Sequence, residues 1–338
     1  MRTPRTSLVA AAFLAACGAP SASAPAGGAP SASAPAGGAP SASAPAGGAP
    51  SASAAASGSS SPPASPPPPV AQTAAPAAAA SPAPAPCGAL GCLAFDTPAQ
   101  AFAHVLESGP RVLAVGEAHA QRGSEGIPST TRRFTELFLP ALAGRASDLI
   151  VELWAVDPRC RKEQVARVEA EQRAVTQGQA AQNQDEFLAL GHAAKRLGIR
   201  PHQLTPSCQE VDAIVRAGPD AVTAMLEMIA RLTAAEAKAL LGREDAAGKM
   251  VIAYGGALHN DVAPRPGRER WSFGPELSAI TGGKYVELDL IVREFIKESE
   301  SWRALPWYPH FDREKHPDKA VLFNPAPGSY TLIFPRSS

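Results

Sequence analysis

The sequence predicts an α/β fold with a mainly parallel central sheet and helices on both faces. Short apolar runs, which are typical of buried strands, alternate with helical patterns, and this alternation favours parallel strands joined by helices. Two later segments alternate polar and apolar residues, which indicates strands with one wetter face. The predicted strands cover residues 111–115, 148–152, 199–204, 249–254, 285–292 and 329–334.

Helix signals occupy the segments between these strands. Thr97 and Pro98 are an N-cap and a first helical residue ahead of an apolar face. The sequence Thr233-Ala-Ala-Glu236 predicts a capping box at the start of a separate helix. Pro201 interrupts the third strand, which we expect to be short or peripheral. Helical patterns cover about residues 131–142, 162–175, 185–197 and 210–242.

Residues 1–17 have the layout of a bacterial lipoprotein signal peptide. Arg2 and Arg5 precede an apolar run that ends in Leu14-Ala15-Ala16-Cys17. This run is much shorter than the roughly 20 residues of a membrane-spanning helix, and a thiol directly after it is placed for acylation, so Cys17 is the expected lipid anchor. An ordinary signal peptide is the alternative. The two residues directly after Cys17 are Gly18 and Ala19, with no Asp, which favours the outer membrane within the cell envelope.

Residues 18–86 predict a disordered spacer, and residues 87–338 a single α/β domain. Residues 18–57 are four copies of the ten-residue unit Gly-Ala-Pro-Ser-Ala-Ser-Ala-Pro-Ala-Gly, the last degenerate. A glycosylated or wall-binding tether is the alternative to a plain spacer. All 31 acidic residues and all but two of the 31 basic ones lie in residues 96–338. The domain is therefore nearly neutral, which gives no reason to expect nucleic acid as a partner.

Apart from Cys17, the chain has four cysteines, an even number for an oxidising compartment. We expect Cys87 to pair with Cys92, and Cys160 with Cys208. The first disulfide would close a short loop at the edge of the domain, and the second would join two loops that each follow a predicted strand. Four cysteines allow three connectivities. A Cys₄ zinc site is the rival interpretation, although no Cys-x-x-Cys spacing occurs.

Carboxylate and imidazole groups follow the predicted strands. The first strand ends in Gly116-Glu117-Ala118-His119, the second in Glu152, and the fourth leads into Gly256-Ala257-Leu258-His259. In each Gly-x-x-His pattern the glycine would let the backbone turn sharply. Ligands of parallel sheets lie beyond the carboxyl ends of the strands, so we expect these acidic and imidazole groups to share one crevice. The candidate site residues are Glu117, His119, Glu152 and His259.

Imidazole and carboxylate donors together suit a divalent metal such as zinc, manganese or iron. The candidate ligands are Glu117, His119 and His259, and an open coordination position would polarise a carbonyl group or activate water. Structural, hydrogen-bonded histidines are the alternative. His202 is a weaker candidate. Asp261 would either orient His259 or lie in a solvated turn, and the tail around residues 307–316, with His310 and His316, would form a lid or pack against the domain.

These motifs resemble the superfamily that contains erythromycin esterase, the haem-binding ChaN lipoproteins, and the TraB and Tiki proteins. The resemblance covers roughly residues 111–292. It implies an α/β domain whose site consists of the two Gly-x-x-His motifs and two glutamates, here Glu117, His119, Glu152 and His259. The chain has no convincing counterpart of the Arg-Asn segment of TraB and Tiki proteins, nor of the Gln- and Trp-containing stretches of ChaN.

The leading expectation is a metal-assisted hydrolase that acts on an ester or peptide bond of a small-molecule or peptide substrate. Glu117 would be the general base, the histidines and Glu152 would hold a metal or orient the water, and His259 would stabilise developing charge. The alternative is a haem- or iron-binding lipoprotein without turnover, with Tyr254 or Tyr308 on the iron. A catalytically silent adhesion or scaffold module is the third possibility.

Overall fold

A computed structural model of the chain describes residues 9–10 and 83–337. The predicted lipid anchor Cys17 lies outside the described residues. The same holds for the signal peptide and the spacer, except for two short strands at residues 9–10 and 85–86.

Among the described residues, ten strands form one sheet in the order β1, β5, β7, β4, β8, β10, β9, β3, β2, with β6 also paired with β5. All pairings from β6 through β5, β7, β4 and β8 to β10 are parallel, and those of β1, β9, β3 and β2 are antiparallel. The predicted fold class is confirmed. The strands are β1 Val9–Ala10, β2 Ala85–Pro86, β3 Leu93–Phe95, β4 Val112–Glu117, β5 Ala146–Trp154, β6 Arg200–Leu204, β7 Met250–Gly256, β8 Tyr285–Ile291, β9 Ala320–Ala326 and β10 Ser329–Ile333.

Helices cover both faces of the sheet. Helices α1, α2 and α4 pack on one face, and α3, α5, α6 and α7 lie on the other. They are α1 Pro98–Leu106, α2 Thr130–Arg133, α3 Lys162–Thr176, α4 Asn183–Arg196, α5 Cys208–Ala217, α6 Ala221–Leu241 and α7 Gly274–Ile280, and a short α8, Glu300–Arg303, lies in the tail. No helix within the described part of the chain is long and apolar enough to cross a membrane.

Strand β4 shows why the central strands are apolar throughout. Successive side chains of a strand point to opposite faces, and here Leu113 and Val115 enter the core under α1 and α4, while Val112 and Ala114 enter the core under α6. Both faces are therefore buried, as expected of a parallel strand between two helix layers. Strand β6, in contrast, pairs only with β5, and the peripheral position predicted from Pro201 is confirmed.

The predicted helix boundary at Thr233 is wrong. Residues 221–241 form one continuous helix, and Thr233 is buried in its interior. A capping box precedes α5 instead, where the Ser207 hydroxyl accepts from the backbone N–H of Glu210 and the Glu210 carboxylate accepts from the backbone N–H of Ser207. The apolar face of α6 continues past Thr233 through Ala234 and Ala237, so no signal there ends the helix.

The predicted helix at residues 131–142 changes its geometry along its length. Only Thr130–Arg133 is α-helical, and a π-helical turn, Phe134–Phe138, and a 3₁₀ turn, Leu139–Leu142, follow it. Pro140 lacks the N–H that a continued α-helix requires. The wider turn carries Phe134 and Phe138 into the core against Phe102. The N-cap predicted for α1 is confirmed, since the Thr97 hydroxyl accepts from the Gln100 N–H.

Two disulfides join Cys87 to Cys92 and Cys160 to Cys208, each with a Cα–Cα distance of 5.1 Å. These are the two pairs that the sequence predicts. The second disulfide ties the loop after β5 to the first residue of α5. It therefore fixes one flank of the sheet edge at which β5 ends.

Replacing both Cys160 and Cys208 with Ala should lower the free energy of unfolding by about 4 kcal/mol, because the cross-link closes a long loop in the unfolded chain. Its partners are 48 residues apart, against 5 for Cys87 and Cys92. The matched double substitution at Cys87 and Cys92 should cost only about 2 kcal/mol. Urea titration without reductant measures both losses. Equal losses in the two variants, or free and alkylatable thiols at Cys160 and Cys208, would refute the assignment.

Candidate active site

The four candidate residues lie at one edge of the sheet. Strands β4 and β7 are parallel neighbours, with Glu117 opposite Gly256, so the segments that carry His119 and His259 leave the sheet side by side. Strand β5, on the other side of β7, supplies Glu152. All four side chains are nearly inaccessible, with residue exposures of 1 to 4%. The carboxyl edge predicted from the strand order therefore holds these residues close together in a buried position.

Glu117 and His119 form a hydrogen-bonded pair. Oε1 of Glu117 lies 2.5 Å from Nδ1 of His119. Its Oε2 accepts from the hydroxyls of Thr131 at 2.7 Å and Tyr254 at 2.5 Å. Both carboxylate oxygens are thus engaged, and a carboxylate at Nδ1 favours the His119 tautomer that carries its proton there. The Nε2 atom of His119 is buried and has no hydrogen-bond partner.

Glu152 and His259 form a second, looser pair. His259 Nδ1 lies 2.7 Å from the carbonyl oxygen of Trp271, and because a carbonyl only accepts, Nδ1 is the donor. Oε2 of Glu152 accepts from the Gly256 N–H at 2.7 Å. Oε1 of Glu152 and Nε2 of His259 lie 3.8 Å apart, and both are buried without a hydrogen-bond partner. A cavity of about 10 Å³, the size of one water molecule, lies beside them.

Burial sets the charge states of the second pair. It raises the pKa of Glu152 well above 4.5, and the negative charge of Glu117 raises it further. Burial also lowers the pKa of His259 to about 4, and a positive charge on His119 acts in the same direction. Neutral forms of Glu152 and His259 are therefore favoured. Because each pair influences the other, the two pairs lie within electrostatic reach.

The glycines at this edge leave room for the carboxyl groups of neighbouring strands. Gly116, Gly255 and Gly256 all have negative φ, so the predicted sharp glycine turn is wrong. A Cβ atom on Gly255 would lie 2.2 Å from Oε2 of Glu152, and one on Gly116 would lie 2.5 Å from Oδ1 of Asp289. Side chains at these positions would collide with buried carboxyl groups. Glycine is needed because the carboxyl groups lie directly against the backbone.

Two other predicted candidates lie outside this arrangement. The His202 ring contacts Asp148 at 2.8 Å and Glu236 at 3.0 Å, within a charge cluster on β6 that also includes Arg200. Asp261 neither orients His259, whose Nδ1 donates to Trp271, nor lies in a fully solvated turn. It is partly buried, and it lines a second cavity.

This second cavity has a volume of about 360 Å³ and adjoins both histidine motifs. Ala118, next to His119, and Leu258, next to His259, line one side. The tail also lines the cavity, through the buried Trp307 and the half-buried Trp302. The tail thus packs against the domain and also covers the cavity, while His310 is exposed. The acidic groups in the lining are Asp261, Glu287 and Asp289.

Sequence reasoning missed Glu287 and Asp289 as site residues. The polar alternation in residues 285–292 was the available signal, because side chains two apart in a strand share one face. Burial and the neighbouring acids raise the pKa of Asp289 well above its ordinary value, and burial raises that of Glu287. The signal did not specify what would cover that face.

The predicted ligands of metal and haem iron are only partly available. Both oxygens of Glu117 accept hydrogen bonds, which leaves His119 Nε2 and His259 Nε2 as the free donors of the predicted metal set. Tyr254 donates to Glu117 and is buried, so it does not face an exposed apolar patch. Across residues 83–337, no group of three or more His, Cys, Asp or Glu side chains could hold a metal ion as placed.

A scan against protein-family models finds no match to this chain. Searches of the curated proteins and of the solved structures find no match either.

Replacing Glu152 with Gln should stabilise the fold increasingly as the pH rises. With its pKa raised on folding, the buried Glu152 keeps its proton at pH values where the unfolded chain has released it. The wild type therefore loses stability from about pH 4.5 up to the folded-state pKa, while Gln can still accept from Gly256. Denaturant titrations between pH 4 and 8 measure the effect, with the exposed Glu163→Gln as the control. Stability curves of wild type and Glu152→Gln that run parallel would contradict this account.

Proposed function

We propose that this protein is a hydrolase of the cell envelope that cleaves an ester or peptide bond, and that it belongs to the superfamily of erythromycin esterase and the Tiki proteins. One observation carries the proposal. Nε2 of His119, Nε2 of His259 and Oε1 of Glu152 are all buried at adjacent strand ends without a hydrogen-bond partner among the described residues. A buried polar atom without a partner costs roughly 1–3 kcal/mol, so three at one edge indicate groups held for a ligand or a reacting water.

In this proposal His119 is the general base. Glu117 accepts from Nδ1 of His119, which fixes the ring and stabilises the imidazolium that forms when Nε2 takes a proton from water. The base role therefore moves from Glu117 to His119. Glu117 is a positioning residue, and the hydroxyls of Thr131 and Tyr254 hold it in place.

Glu152 acts on the substrate in this proposal, and His259 acts on the reacting water. Since burial favours its protonated form, Glu152 can donate a hydrogen bond or a proton to the oxyanion or the leaving group. Burial favours the neutral form of His259, and its Nε2 can accept a hydrogen bond from the water and so orient it. The small cavity beside Glu152 and His259 has room for one water molecule.

The unpaired donors are of the chemical type that binds zinc, manganese or iron, although the described side chains would have to move to converge on such an ion. Nε2 of His259 and Oε1 of Glu152, which are 3.8 Å apart, would hold it, and His119 Nε2 is the third unpaired donor. When bound, such an ion supplies Lewis-acid polarisation of a carbonyl and a more acidic water. The haem carrier that the resemblance also implies has less support, because Tyr254 is engaged by Glu117.

Replacing His119 with Ala should lower kcat/KM for a hydrolysed ester by about 10²- to 10⁴-fold, as expected for loss of a general base. Glu117→Gln should cause a smaller loss and shift the pH–rate profile, because a weaker acceptor then holds the ring. The exposed His310→Ala is the matched control and should leave the rate unchanged. The measurement uses the purified protein with panels of p-nitrophenyl esters and peptides, and circular dichroism verifies folding.

Several outcomes would contradict the proposal. Wild-type activity in His119→Ala would exclude the base assignment, and failure to hydrolyse any ester or peptide would count against the function. Metal analysis and a visible spectrum of the same preparation separate the alternatives. Stoichiometric zinc, manganese or iron would support a metal-assisted reaction, whereas a Soret band would favour a haem carrier.

We further propose that Cys17 anchors the protein to the outer membrane through its acyl chains. After processing, the apolar run of the signal peptide is gone, so Cys17→Ala should release the protein into the soluble periplasmic fraction. Ser23→Ala, in the neighbouring spacer, is the control and should stay with the membrane. Cell fractionation with immunodetection measures the distribution. Membrane association of Cys17→Ala equal to that of the control would contradict the anchor.

A further inference from the structure

The second cavity, lined by Asp261, Glu287, Asp289, Trp302 and Trp307, adjoins both histidine motifs. We infer that it binds an organic ammonium group, so that the hydrolase prefers substrates with a positively charged amine beside an apolar or aromatic portion. This inference rests on the proposed function only in treating the cavity as the substrate pocket. Binding of an amine can be measured without any turnover.

The cavity wall carries the carboxyl groups of Glu287 and Asp289. Glu287 is 7% exposed, and its carboxylate accepts only from neutral groups, the Val262 N–H at 2.7 Å and the Ser329 hydroxyl at 3.0 Å. Oδ1 of Asp289 accepts from the neutral amide of Asn260 at 2.9 Å. No Lys or Arg in the described part of the chain is ion-paired with either acid. Burial and the neighbouring acids favour the protonated form of Asp289 when no ligand is bound, and a cationic ligand would supply the counter-charge that favours its ionised form.

The nearby arginines do not fill that role. Within the described part of the chain, the Arg268 guanidinium lies over the Trp271 ring, 5.5 Å from its centroid, and forms no ion pair with Asp261, Glu287 or Asp289. Burial and the negative charge of Glu287 raise the pKa of Asp261 to about 7, and the weaker attraction of Arg265 and Arg268 does not offset them. Both arginines belong to the loop after β7, whereas Glu287 and Asp289 belong to β8.

Two tryptophan side chains also line the cavity. The rings of Trp302 and Trp307 meet edge to face, with centroids 6.1 Å apart and an interplanar angle of 80°. Leu305 and Pro306 continue the apolar surface beside them. Aromatic faces attract organic cations, and Trp does so most strongly. A cavity lined by both carboxyl groups and indole rings matches a molecule with an ammonium group and an apolar portion.

A bare metal ion fits the cavity less well. The three acids belong to no group of described side chains that could hold a metal ion as placed. The volume of about 360 Å³ falls in the usual range for organic ligands, roughly 300–1,000 Å³. An ammonium group needs only one or two carboxylates at hydrogen-bond distance, whereas a metal needs several converging ligands.

Two probes that differ only in charge test the inference. Tryptamine carries an ammonium group, and tryptophol carries a neutral hydroxyl in its place. Isothermal titration of the full chain at pH 7 should show tryptamine binding at least ten times more tightly than tryptophol. Asp289→Asn and Glu287→Gln should each reduce this preference severalfold, and the exposed Glu244→Gln, outside the cavity, should preserve it. Thermal melting verifies that each variant is folded.

Equal affinity for the two probes, or an undiminished preference in both acid variants, would overturn the inference. The His119→Ala variant separates it from the proposed function, because this variant should lose hydrolysis and still prefer tryptamine. If the wild type hydrolyses neutral and cationic esters equally well and shows no preference for tryptamine, the hydrolase proposal stands and the ammonium pocket fails. If the preference is found without any hydrolysis, the pocket stands and the hydrolase proposal fails.

Discussion

The parallel pairing of β4 with β7 is the constraint on which the rest of the site depends. It sets Glu117 opposite Gly256, so two segments with the same Gly-x-x-His pattern leave the sheet at one level. Neighbouring parallel strands are about 4.8 Å apart, which is why groups far apart in sequence come within electrostatic reach. A shift of one residue in this register would send Glu117 to the opposite face, away from Thr131 and Tyr254.

Burial sets the protonation states that the proposed chemistry uses. A buried, unpaired ionisable group is unfavourable, and several at one edge are difficult to explain by packing. The two pairs differ in a useful way, because Glu117 is fully hydrogen-bonded while burial favours a protonated Glu152. A base and an acid at the same site are what hydrolysis near neutral pH requires. Side chains from β8 and the tail add a separate, acidic and aromatic cavity at the same edge.

Much of the fold and the placement of the candidate residues could be predicted from the sequence, because apolar runs alternating with helical patterns specify parallel strands, and parallel strands share a carboxyl edge. The hydrogen-bond partners of Glu117 could not be predicted. Its partners Thr131 and Tyr254 come from α2 and β7, and Tyr254 is 137 positions away. Thr233 shows the same limit, since a capping pattern within a helix is distinguished from a real cap only by tertiary packing. Predicting the second cavity would have required knowing which segment covers Asp289.

In the proposed site, both histidines present an unprotonated Nε2 at the same buried edge of the sheet. Nitrogen-15 NMR of the imidazole rings measures this directly. The account predicts that both rings carry the Nδ1 proton in the neutral form, and that His259 stays neutral until the pH approaches about 4. A His259 ring that titrates near its ordinary pKa of 6.5, or one that carries its proton on Nε2, would contradict it.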